Sequence, residues 1–341
     1  MKPLVSILIP AYNAERWIDQ AIQSAIAQTW PHKEIIVVDD GSSDRTLCIA
    51  DEFSKHGVNV LFQPHQSAST ARNRAFSACK GDYIQWLDAD DVLAPDKISR
   101  QMEFAEHCGN KRLLLSSEWG RFHFRTSRAQ FIPNALWDDL SPVEWLVRKL
   151  GRNIWMQPGT WLVSRELTEA AGPWDERLSF DDDGEYFCRV LLESDGVKFI
   201  RDARVFYRAT GPTSLSVPDD TNKKMESGWL SIRLHIQYLR WLEDSRRTRE
   251  ACLTYLQTWL PMFYPHRPDI IREVQRLAEI LGGKTEVFET IDPLRWKFAW
   301  MKNIFGLKAA YRAQIALPRM KHAAIRFWDK TMFEMEQFAR I

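Results

Sequence analysis

Through its first half the chain alternates short apolar runs with segments whose apolar positions recur every three or four residues. Val5 to Ile9 is a β-branched run closed by Pro10, and from Glu15 to Gln28 the residues Trp17, Ile18, Ala21, Ile22, Ala25 and Ile26 keep the spacing of one helix face. Glu34 to Val38 is a second strand-like run, ending at Asp39, Asp40 and Gly41. Ser43 or Asp44 is placed to cap a helix running to about Ser54. A strand over Asn59 to Phe62, a helix over Ser69 to Cys79 and a strand over Tyr83 to Leu87 follow. Strands and helices alternating at these lengths predict an α/β fold, a mostly parallel sheet with helices on both faces.

From about Lys111 to Thr213 the pattern is less regular and rich in tryptophan. Beyond Pro218 it becomes helical, over Gly228 to Glu243, Arg249 to Leu260, Asp269 to Leu281 and a last stretch to the C-terminus. That last stretch interleaves Arg295, Lys297, Lys302, Lys308, Arg312, Arg319, Lys321 and Arg326 with Trp296, Phe298, Trp300, Phe305, Tyr311, Phe327 and Trp328. A basic, aromatic helical segment can rest on an anionic membrane surface. It can equally pack its aromatics on the rest of the chain or on a second copy, as a homodimer.

With 46 Lys and Arg against 45 Asp and Glu, no global field favours nucleic acid as a partner. Cys48, Cys79, Cys108, Cys188 and Cys252 are odd in number and form no Cys-x-x-Cys pair, which points to free thiols in a reducing cytoplasm. The N-terminal apolar stretch reads as a first strand rather than a signal peptide, and no window reaches the ~18 apolar residues of a membrane span.

Two of the four early strands end in aspartates, at Asp39-Asp40 and at Asp88-Ala89-Asp90-Asp91. In an open parallel sheet ligands bind beyond the carboxyl ends of the strands, so these carboxylates gather where a ligand sits. Either cluster alone reads equally well as a turn; both together, at corresponding ends, favour a site. Asp88 and Asp90, one residue apart, suit a hard divalent cation bound through oxygen, with positions left for water and diphosphate.

At these residues the sequence resembles the large inverting family 2 of nucleotide-sugar-dependent glycosyltransferases, built on the GT-A fold. The resemblance runs through Val5 to Asn13, Ile36 to Asp44, Ala71-Arg72-Asn73 and Gly81 to Asp91, and more thinly to about Ser216. It implies a catalytic domain over 1–218, with 1–110 binding the nucleotide sugar and 111–218 forming the acceptor side. Residues 219–341 carry no part of the resemblance, and their pattern reads as a helical region that associates with membrane or dimerises. Pro10 and Tyr12 would lie against the nucleobase and ribose, and Asp40 would accept from the base ring, which favours a UDP- or dTDP-linked donor. Arg72 would sit near the nucleotide, Asp88 would reach the ribose or sugar, and Asp90 would ligate Mn2+ or Mg2+, with Asp91 as the fallback ligand.

The resemblance further implies a general base from an acidic pair at a helix start after Gly172-Pro173-Trp174-Asp175-Glu176. Aligning on the helix that carries Arg189 gives Asp183, with Asp182 as the alternative; aspartates here also cap the helix. Gln157, Trp161 and Trp174 are acceptor-side candidates, since tryptophan faces stack on sugars. Where many members carry a late histidine this chain has none, so Arg208 or nearby serines would meet the phosphates. The implied activity moves a sugar to an acceptor hydroxyl on a glycan or lipid-linked acceptor, in the cytoplasm or on the inner face of the cell membrane. A degenerate domain working as a binding module through its basic helices is the alternative. The Gly-rich basic loop of a nucleotidyltransferase and the P-loop are both absent.

Overall fold

The first strand, β1 (Val5–Ala11), is buried along its whole length, as a strand covered on both faces must be. Its residues part between two cores: Leu8 joins one apolar cluster, while Val5, Ile7 and Ile9 join the other. That division is the two-residue period of the pleat. The strand continues one residue past Pro10, which pairs with Val38. In this computed structural model the described residues are 2–210, 221–263, 266–283, 304 and 326–336.

After β1 come α1 (Ile18–Ile26), β2 (Lys33–Asp39), α2 (Thr46–Asp51), β3 (Val58–Phe62), α3 (Ala68–Ala78), β4 (Tyr83–Trp86), β5 (Val92–Leu93) and α4 (Lys97–Cys108). The next elements are β6 (Leu113–Phe122), β7 (Gln130–Phe131), α5 (Pro142–Arg152), β8 (Val163–Ser164), α6 (Arg165–Ala171), α7 (Asp182–Glu193) and β9 (Gly196–Arg208). One sheet has the order β3-β2-β1-β4-β8, parallel except for β8. A second, mixed sheet has the order β5-β9-β6-β7, with β6 and β9 parallel. The fold is α/β, and β1, β2 and β4 aim their carboxyl ends at one edge, where Tyr12, Asp40 and Asp88 to Asp91 emerge.

The stretch 111–210 is more regular than its sequence pattern suggests. Its two long strands disguise themselves in different ways. β6 buries Ser116, Ser117 and Glu118 in its middle, which hides the alternation. β9 shifts its register on β6 between Ile200 and Val205, around Asp202, whose φ is 66°.

The later helices are α8 (Asn222–Leu242), α9 (Arg246–Phe263) and α10 (Pro268–Ile280). Ile232, Leu239, Leu256, Phe263 and Val274 from these helices enter the same cluster as Leu146 of α5 and Leu191 of α7. The helical segment 326–336 sits on the turn after β6. Asp329 accepts from the amide of Phe124 at 2.9 Å and from Nε of Arg125 at 2.7 Å, and Phe333 lies 5.9 Å from Phe124, ring to ring. Apart from Ile304, the basic stretch from Arg295 to Lys321 lies outside the described residues. Among the described residues no helix is long and apolar enough to cross a membrane. All five cysteines are free, with Cys48 and Cys108 exposed.

Candidate active site

At the end of β2 the chain turns through Gly41, whose φ is +71° and where a Cβ would lie 2.6 Å from the amide nitrogen of His65. Only glycine admits that approach. It brings His65 over the buried Asp40, with Nδ1 2.9 Å from Oδ2. Oδ1 of Asp40 accepts from Gln63 Nε2 at 2.6 Å and from the amide of Gln66 at 3.0 Å. The His65 ring also stacks on Tyr12, which is half exposed. Pro10, by contrast, is buried within β1. Sequence reasoning missed His65, because no spacing links it to Tyr12 or Asp40.

Arg72 ties the strand-end aspartates to the start of α7. Ser67 caps α3, accepting from the amide of Thr70, and so fixes the helix that carries Arg72. From this buried position Nη2 donates to Asp88 Oδ1 at 2.9 Å and Nη1 donates to Asp182 Oδ2 at 2.7 Å. The guanidinium lies 4.3 Å from the ring centre of Trp174. Burial alone would lower its pKa, but Asp182 and Asp88 outweigh that and hold it above its ordinary value.

Of the strand-end carboxylates, Asp90 is pushed up to about 7, by burial first and then by the charge of Asp88. Asp91 is also raised well above its ordinary value, by burial and then by Asp90. It faces inward: Oδ1 accepts from the amide of Arg208 at 2.8 Å, while Oδ2 is buried without a hydrogen-bond partner among the described residues. Arg208 is buried too, with every guanidinium nitrogen engaged by the chain. Nε donates to the Asp90 carbonyl, Nη1 to the His123 carbonyl and Nη2 to Gln20 Oε1, and the group lies between Trp17 and Phe122. Burial brings its pKa down to about 10. Among the described residues three of its five guanidinium N–H groups are used in those bonds, and Arg208 thereby clamps the loop 90–91.

Among the described residues no three His, Cys, Asp or Glu side chains cluster in a way that would hold a metal. Nucleotide-bound Mg2+ and Mn2+ typically take one or two carboxylates and complete their shell with phosphate oxygens and water. Asp88 and Asp90, separated by one residue after β4, offer the one or two carboxylates that such an ion takes, so the residues fit it.

The first turn of α7 holds Asp182, Asp183 and Glu185. Asp182 is engaged by Arg72, and Glu185 by Arg189 at 2.7 Å. Asp183 makes no ion pair among the described residues, and burial, then Asp182 and Asp181, push it up to about 7. A carboxylate near neutrality is suited to taking a proton from a hydroxyl.

The acceptor-side tryptophans are not open faces. Trp161 is fully buried, stacked on Phe187 and packed against Trp145, and Trp174 is stacked on Tyr186 at 4.0 Å with Arg72 over it. Both rings are taken up by packing, which corrects the expectation that they could stack on a sugar. Gln157 is buried as well, its carbonyl accepting from Thr160. Trp155, two residues before Gln157, is exposed and lies on Trp119.

The sequence model of glycosyl transferase family 2 matches residues 6–117, the stretch that supplies Tyr12, Asp40, Arg72 and Asp88 to Asp91. The N-terminal third is a family 2 glycosyltransferase domain. Among curated relatives, "Uncharacterized glycosyltransferase EpsJ" of Bacillus subtilis (strain 168) is 30% identical over 224 residues, 63% of this chain and 64% of that protein. Chondroitin synthase of Escherichia coli is 43% identical over 98 residues, 28% of this chain and 14% of that protein. The chain thus spans less than two thirds of the curated relatives it matches. The crystal structure of S. aureus TarS 1-349 superimposes with a TM-score of 0.61 at 16% identity, over 92% of this chain and 91% of that one. TarS 1-349 has also been solved in complex with UDP and with UDP-GlcNAc. At that identity the likeness is one of fold, and it is the GT-A fold, reaching beyond the family 2 domain.

Proposed function

We propose that the protein is an inverting glycosyltransferase. It moves a sugar from a UDP- or dTDP-linked donor to an acceptor hydroxyl in glycan or surface polysaccharide synthesis. The observation that carries this reading is the bridge through Arg72, which joins the donor-side Asp88 to Asp182, the neighbour of Asp183.

In this reading Tyr12 and Asp40 receive the nucleobase, and Asp88 meets the ribose or the sugar. Asp90, with Asp88 beside it, would hold Mn2+ or Mg2+, which would supply neutralising charge for the departing diphosphate. Asp183 takes the proton from the acceptor hydroxyl as its oxygen attacks the anomeric carbon, opposite the leaving group, so the configuration inverts. Arg72 keeps Asp182 paired, which leaves Asp183 as the carboxylate free to accept that proton. Calorimetric titration with UDP, GDP and dTDP, each with Mn2+ and with EDTA, tests the donor site. Metal-dependent binding of a pyrimidine nucleotide is expected, and no binding to a folded protein would leave the degenerate module as the better reading.

The C-terminal segment is proposed to meet an anionic membrane surface, where a lipid-linked acceptor would be found. In segment 326–336, Asp329, Phe333 and Glu336 engage the turn after β6, while Phe327, Trp328 and Met335 are exposed. Sedimentation with phosphatidylglycerol vesicles tests this proposal. Phe327→Ser together with Trp328→Ser should release the protein, and unchanged binding would sink it.

A further inference from the structure

One stripe of polar side chains along α8 holds the segment that carries Asp183. Ser227, Ser231, His235 and Tyr238 follow the spacing of a single helix face, and every one of them meets residues 179–185. Ser227 Oγ accepts from the amides of Ser179 and Phe180, each at 2.9 Å, and lies 3.0 Å from the Phe180 carbonyl. Ser231 Oγ donates to Asp181 Oδ2 at 2.7 Å. His235 Nδ1 lies 3.7 Å from that same oxygen and 3.1 Å from the Tyr255 hydroxyl on α9. Tyr238 donates to Glu185 Oε1 at 2.6 Å.

Two features make this more than ordinary packing. Asp181 sits in the left-handed region with φ 58°, which a non-glycine residue rarely adopts without something to hold it there. Its side chain folds back over the start of α7, where a Cβ on Gly184 would lie 2.1 Å from Asp181 Oδ1. Apolar side chains would pack a helix against its neighbours without the desolvation that buried hydroxyls and an imidazole bring. Here those groups converge on the residues flanking one carboxylate.

We infer that α8 is a positioning element for the reaction: Ser231 and Tyr238 fix Asp181 and Glu185 on either side of Asp183 and so set the turn from which that carboxylate projects. The inference rests on the reading of Asp183 as the base. It gives the helical region after 218 a part in the chemistry that the family 2 match, ending at residue 117, does not include.

The test uses the full chain as wild type, Ser231→Ala, Ser231→Thr and Asp183→Asn. UDP affinity is measured by calorimetry with Mn2+, and turnover as UDP released from UDP-GlcNAc, UDP-glucose and UDP-galactose with water as acceptor. Ser231→Ala should bind UDP as the wild type does, yet release it between about ten- and a hundred-fold more slowly at saturating donor. Ser231→Thr, which keeps the hydroxyl, should recover most of the loss. Ser231→Ala with wild-type turnover, while Asp183→Asn is inactive, would overturn the inference and leave the base in place. A loss of UDP affinity in step with turnover would also overturn it, since that marks a general loosening. Asp183→Asn with wild-type turnover, or no release from any donor by the folded wild type, overturns the reading beneath the inference and the inference with it. If Ser231→Ala does not fold, Tyr238→Phe carries the same expectations.

Discussion

His65 lies flat on Tyr12, the ring centroids 4.0 Å apart and the planes within 18°, with its Nδ1 on the carboxylate of Asp40. A planar, nitrogen-bearing ring thus occupies the aromatic face and the acid that the proposed nucleobase would use. A ligand that must first displace a side chain binds with its intrinsic affinity scaled by the open fraction. His65→Ala should therefore tighten UDP binding by about three- to ten-fold. Calorimetry checks this, and weaker binding would mean that the imidazole contacts the nucleotide rather than standing in its place.

Asp183 supplies a pH dependence with a definite sign. A base works as the carboxylate, and this carboxyl is pushed up to about 7. Turnover at saturating donor should rise as pH passes through about 7 and level off above it, whereas an ordinary aspartate would already be level at pH 5. Asp183→Asn should abolish the rise and lower turnover by roughly 10²–10⁴-fold, leaving UDP affinity unchanged. If the rise survives in Asp183→Asn, the titrating group is another one.

The proposed donor half of this arrangement was legible as a cluster at one sheet edge because its signals are local. Val5 to Ile9, Ile36 to Val38 and Tyr83 to Trp86 are apolar runs ending in polar residues, and a parallel sheet turns such runs into one edge. The pairings that complete the site are long-range. Arg72 meets Asp182 across 110 positions, and Ser231 meets Asp181 across 50. No periodicity announces either contact. Tryptophan misled in the opposite direction: Trp161 and Trp174 looked like sugar platforms, yet both are buried, and which face a tryptophan shows is decided by tertiary packing.

Arg72 cannot be replaced by a cation of another shape. It reaches Asp88 and Asp182 with two nitrogens of one plane while lying on Trp174. A lysine offers one point charge, cannot span both carboxylates and loses the stacking. Arg72→Lys should lower both UDP affinity and turnover. Arg72→Met, which leaves the two carboxylates uncompensated, should destabilise the fold by about 3 kcal/mol. Urea unfolding followed by tryptophan fluorescence measures the second effect, and wild-type stability in Arg72→Met would show that the bridge is not held in solution.

Asp90 should reveal its role through stability before any activity is assayed. Its folded pKa is about 7 against an ordinary value of 3.8, with burial and then Asp88 as the causes. Between those pH values the folded protein holds a proton that the unfolded chain has lost. This residue's contribution therefore falls as pH rises through the window, and the penalty is complete above about 7. Asp90→Asn removes the charge and keeps the shape, so without metal at pH 8 it should melt at least about 2 °C higher than wild type. At pH 4 the two should melt together. Mn2+ should reverse the order at pH 8 by stabilising only the protein that retains the carboxylate. A variant that melts with the wild type at pH 8, with and without Mn2+, would mean that the carboxylate is solvated and binds no cation, and the ligand would then have to be sought at Asp88.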